Sequence, residues 1–70
     1  MTNRRVFLVR FGSLAIACDD EVTAKRVRRA VALAVRSGLS SDDDLLALAR
    51  LARVSPGVSV ADLVLAAVHR

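Results

Sequence analysis

Tryptophan and tyrosine are missing from these 70 residues, and phenylalanine occurs only at Phe7 and Phe11. A core without large rings must be assembled from Val, Leu and Ala, which bury less area per side chain and leave a small domain short of stabilising burial. The single cysteine, Cys18, has no partner for an internal disulfide and no Cys or His at ligand spacing, which argues against structural zinc. Gly12, Gly38 and Gly57 stand singly, so there is no glycine-rich loop to cradle phosphates. No stretch approaches about 18 consecutive apolar residues, so no membrane span is expected. The run in "RRVFLVRFG" is too short, and too interrupted by Arg10, for a secretory signal. These features point to a cytoplasmic protein of bacterial or phage origin, forming one small domain over residues 1–70.

What is present is an apolar chain, 54% hydrophobic, with a formal net charge of +4. The charge is uneven. Arg4, Arg5, Arg10, Lys25, Arg26, Arg28, Arg29 and Arg36 face only Asp19, Asp20 and Glu21 in the first 36 residues, a balance of +5. Arg50, Arg53 and Arg70 against Asp42, Asp43, Asp44 and Asp62 leave the remainder at −1. An anionic partner is therefore expected to meet the first half. Ten of the eleven basic residues are Arg, the usage of a GC-rich genome, which tempers the weight of the excess.

"RVFLVRF" and "LAIAC" are short β-prone runs separated by Gly12-Ser13, the signature of a hairpin with a type II′ turn. Pairing outward sets Phe11 opposite Leu14, Val9 opposite Ile16 and Phe7 opposite Cys18, so one face gathers the large apolar groups. Val6, Leu8, Arg10, Ala15 and Ala17 form a mixed second face, expected to touch a second subunit or a later helix.

"DDE" at 19–21 offers a cap and first-turn acids for a helix running to about Ser37, with Gly38 free to take the left-handed position beyond its end. At about 100° per residue, Ala24, Val27, Ala30, Val31, Ala34 and Val35 share a side. Lys25, Arg26, Arg28, Arg29 and Arg36 occupy the other, with Leu33 the one large apolar residue among them. Ser41 caps a second helix near 42–53, with Asp42, Asp43 and Asp44 favourably placed against the macrodipole and Leu45, Leu48, Ala49 and Ala52 inward. "VSPG" is a turn, and Ser59 caps a third helix, "VADLVLAAVHR", that is apolar almost all round. A chain this short has little material to wrap such a helix. A dimer or larger homo-oligomer built partly on Leu63, Val64, Ala67 and Val68 is the expectation.

"LARLARVSPGVSVADLVL", residues 48–65, resembles the helix-turn-helix of repressors of the lactose type through Ala49, "RLA" at 50–52 and "VSP" at 54–56. That resemblance implies DNA binding through the last helix. In its register, however, Ser59 and Asp62 stand at positions the motif fills with apolar residues, Arg53 stands where it prefers Gly, and residues 60–68 offer almost no polar side chain to bases. "SGLSSDDDLLALARLA" is similar to the Gly-x-Ser junction and second helix of ribbon-helix-helix repressors, which implies a dimer whose paired strands enter the major groove. Here a hairpin replaces the single strand, the first helix is more than a turn longer, and "LAIAC" has no polar side chain for bases. An ordinary helical hairpin accounts for residues 48–65 more simply than a helix-turn-helix.

Catalytic readings find little support. His69 lies at the end of the most apolar helix, and Cys18 precedes three acids that disfavour a thiolate. Asp42, Asp43 and Asp44 point about 100° apart on a helix and cannot converge on one ion. The sequence thus predicts a non-enzymatic α+β protein of ββααα order, without cofactor or metal. The leading expectation is a dimeric, duplex-DNA-binding protein, a transcriptional regulator in kind. Lys25, Arg26, Arg28, Arg29 and Arg36 would contact phosphates, with Arg4, Arg5 and Arg10 extending the surface. The alternative is a protein-interaction or assembly module, such as an adaptor, inhibitor or structural subunit, in which the charged helix face is merely solvated.

Overall fold

The computed structural model describes residues 6–69. It consists of strands β1 (Phe7–Phe11) and β2 (Leu14–Cys18), followed by helices α1 (Glu21–Arg36), α2 (Asp42–Val54) and α3 (Val60–Val68), a ββααα order. The strands form a two-stranded antiparallel sheet in the register that the two-residue turn dictates, Phe11 facing Leu14, Val9 facing Ile16 and Phe7 facing Cys18. Gly12 has φ 61° while Ser13 keeps a negative φ, the combination a type II′ turn requires. A side chain at Gly12 would meet no steric neighbour, so the backbone angle alone selects glycine there.

Local capping defines α1 at both ends. Asp20 accepts a 2.7 Å bond from the Thr23 amide, and at the other end Gly38, at φ 98°, donates to Val35 O while Leu39 donates back to Ala34 O. That pair of reversed bonds is a Schellman motif, and it returns Leu39 onto the core. Ser59 caps α3 by accepting from the Asp62 amide at 3.1 Å. Ser41 stands at the N-cap of α2, but its hydroxyl makes no capping bond; the acids of the first turn face the positive end of the helix instead.

The core is one cluster. Val9, Ile16 and Cys18 of the hairpin meet Ala24, Val27, Ala30, Val31 and Ala34 of α1, Leu45, Leu48, Ala49 and Ala52 of α2, and Leu63 and Val64 of α3. Helix α1 touches all four other elements, whereas α3 touches only α1 and α2. The alanines let helix backbones approach closely, and the largest fully buried side chains are only Val9, Val27 and Cys18. Phe7 and Phe11 pack at the margin, partly exposed. Each buried Val or Leu contributes on the order of 2 kcal/mol, so burial rests on many small contributions.

Three expectations change. Val35, assigned to the inward side of α1, is 54% exposed, because the wheel carries it past the edge that the hairpin covers. The second face of the hairpin, with Val6, Leu8, Arg10, Ala15 and Ala17, is exposed and no described helix lies over it, so of the two neighbours expected there the later helix is not the one. Leu63 and Val64, expected at a subunit interface, lie at 4% exposure within the chain's own core; Ala67 packs partly buried beside them, and Val68 remains exposed. The chain does wrap one side of α3, because α1 and α2 together form a trough for it.

Candidate nucleic-acid interface

Helix α1 positions the cationic residues by contrast with its buried side. Ala24, Val27, Ala30, Val31 and Ala34 anchor the inner face, so positions 25, 29 and 36 fall within about 40° of one another on the outer face. Lys25, Arg29 and Arg36 therefore form a ridge about 16 Å long, with exposed Ala32 between the two arginines. Arg28 is exposed on the flank, about 80° round from that ridge. Arg28, Arg29 and Arg36 make no hydrogen bond or ion pair with another described residue. Lys25 meets Glu21 at 3.5 Å, an i,i+4 pair with both side chains 65% exposed, which water screens and a competing anion can displace.

Arg26 does not belong to this surface. Its Nη2 donates to Ser55 O at 2.6 Å and its Nε to Ala52 O at 3.4 Å, in a part-buried setting. Those carbonyls end α2, where the last four have no helical partner and the dipole is negative. The guanidinium thus clamps α1 to the turn before α3. Arg10 is exposed on the open face of the hairpin, apart from the helical ridge, and Arg4 and Arg5 lie outside the described residues.

Arg53, to which the sequence assigned no site role, donates to Ala17 O at 3.1 Å, filling one acceptor on the outer edge of β2. Its partner lies 36 residues away, so no local pattern signals it. Arg53 also opposes the rise of the Cys18 pKa. Burial pushes that thiol up first, Asp20 and Asp19 add to the rise, and Arg28 joins Arg53 in moderating it. Cys18 is a 1% exposed core residue held as the thiol, a poor nucleophile. Among the described residues no three His, Cys, Asp or Glu side chains gather as a metal site. No described helix is long and apolar enough to cross a membrane.

Beside the ridge, Leu33 borders open clefts against α3 in which Arg29 and Arg36 face Val60 and Ala61, and Leu65 and Val68 continue the apolar floor. Comparisons with protein-family models, curated proteins and solved structures each give no match.

Proposed function

We propose that this chain is a non-enzymatic DNA-binding protein that grips duplex phosphates along the Lys25–Arg29–Arg36 ridge, with Arg28 at its flank. One observation carries the reading: three guanidinium groups with no partner among the described residues stand on the solvent side of a helix whose opposite side is wholly buried. No aromatic residue lies among them, so backbone charge rather than base stacking supplies the affinity. Four contacts predict that binding to a random duplex weakens about 100-fold between about 50 and 200 mM salt. The double substitution Arg29→Ala, Arg36→Ala should reduce the salt slope by about 2 in fluorescence anisotropy. Absence of binding at the lower salt concentration would refute the proposal.

The cleft between α1 and α3 favours a second reading, a protein-interaction module, because exposed Leu33, Leu65 and Val68 adjoin Arg29 and Arg36. Such a surface suits an acidic amphipathic segment. Leu65→Asp separates the two: it should abolish capture of an acidic peptide while leaving the phosphate contacts of α1 in place.

A further inference from the structure

Among the described residues nothing covers the outer face of α2, which carries an ordered pattern. Asp43, Ala47, Arg50 and Val54 follow one another at i, i+4, i+7 and i+11, all exposed, with Leu51 beside them at 45% exposure. Asp43 and Arg50 are about 10 Å apart along the axis, too far to pair within the helix, and neither makes a hydrogen bond or ion pair with another described residue. Ala47 lies midway. Next to it a cleft of about 440 Å³ opens between α2 and α3, floored by Leu48 and Leu63 and walled by Leu51 and Ala66.

This ridge is complementary to itself. We infer that a second copy of this chain docks on it, α2 against α2 in antiparallel sense, about a two-fold axis passing beside Ala47. Under that operation Asp43 of each copy faces Arg50 of the other, the axis falls between positions 46 and 47, and Ala47 of the two copies lies within about 1.5 Å of level along the helices, so two opposite-charge pairs bracket the crossing. The small methyl of Ala47 lets the helices approach, and Leu51 of each copy reaches the apolar cleft of its neighbour. Charge selects this occupant over an unrelated one: a uniformly acidic or basic partner would satisfy one of the two charged positions and oppose the other. The α1 ridge stays uncovered, so the inference stands independently of the DNA-binding reading.

The test is a charge exchange followed by sedimentation velocity and native mass spectrometry, with far-UV circular dichroism confirming that each variant is helical. The unaltered chain should be a dimer. Arg50→Asp confronts Asp43 with a second carboxylate, and Asp43→Arg confronts Arg50 with a second guanidinium, so each variant alone should dimerise at least about tenfold more weakly. Mixed in equal amounts, the two variants restore both opposite-charge pairs and should form a heterodimer in preference to either homodimer. Ala47→Lys, which places a long charged chain at the crossing, should be monomeric. A monomeric parent chain, single variants that dimerise like the parent, folded variants whose mixture forms no heterodimer, or a dimeric Ala47→Lys would each overturn the inference.

Discussion

Replacing Arg26 by Ala should cost stability and leave the proposed DNA binding unchanged, the reverse of what a phosphate contact would show. The bond from Nη2 to Ser55 O is 2.6 Å long, part-buried and charged on the donor side, a class that contributes about 1.5–3 kcal/mol. The contact from Nε to Ala52 O, at 3.4 Å, is near the limit of a hydrogen bond and adds little. Removing the guanidinium also removes a cation from the negative end of α2, a further few tenths of a kcal/mol. A loss of about 2 kcal/mol is therefore expected, a large fraction of what a domain of this size possesses. With a urea dependence near 1 kcal/mol per molar, the unfolding midpoint should fall by about 2 M. Because Trp and Tyr are absent, far-UV circular dichroism is the suitable probe. Arg26→Lys, which can satisfy one carbonyl but not fork between two, should recover part of the loss. A midpoint indistinguishable from the parent's, or a salt slope for DNA binding reduced by about 1, would refute the clamp and return Arg26 to the binding surface.

Acid should weaken the start of α1. The bond from the Thr23 backbone amide, with a smaller contribution from the Thr23 hydroxyl, holds the Asp20 carboxyl below the usual aspartate range. A depressed folded-state pKa means that the stabilisation is present above the unfolded pKa and is lost as pH falls through the folded one. Urea midpoints measured down the acid limb should therefore drop more steeply for the parent than for Asp20→Asn, which caps without titrating; equal slopes would contradict the assignment. Val64→Asp should unfold the protein, since it forces a carboxylate into the trough between α1 and α2 at a cost of more than about 3 kcal/mol. Val68→Asp, on the exposed side of the same helix, should stay within about 0.5 kcal/mol of the parent in the same melts. Equal effects of the two would show that α3 is rotated from the orientation described.

What the amino-acid order determined by itself is whatever neighbouring residues decide. A two-residue turn led by Gly12 sets the hairpin register, because pairing must grow outward from it and the pleat alternates side chains between faces. Asp20, Ser59 and Gly38 mark helix ends through bonds that span three to five residues, and the 3.6-residue period gives α1 and α2 their inward faces. The tertiary structure decided the fate of groups whose partners are distant in sequence. Arg26 looks like any other cation of its helix until the end of α2, 29 residues on, arrives beneath it. Arg53 finds Ala17 in the same way. Helix α3 shows why periodicity is insufficient: an element apolar on every side does not say which side is covered, and only the trough formed by α1 and α2 separates buried Leu63 and Val64 from exposed Leu65 and Val68. Local hydrogen bonding and periodicity act within a few residues, whereas burial and long-range donors depend on which surfaces the folded chain brings together.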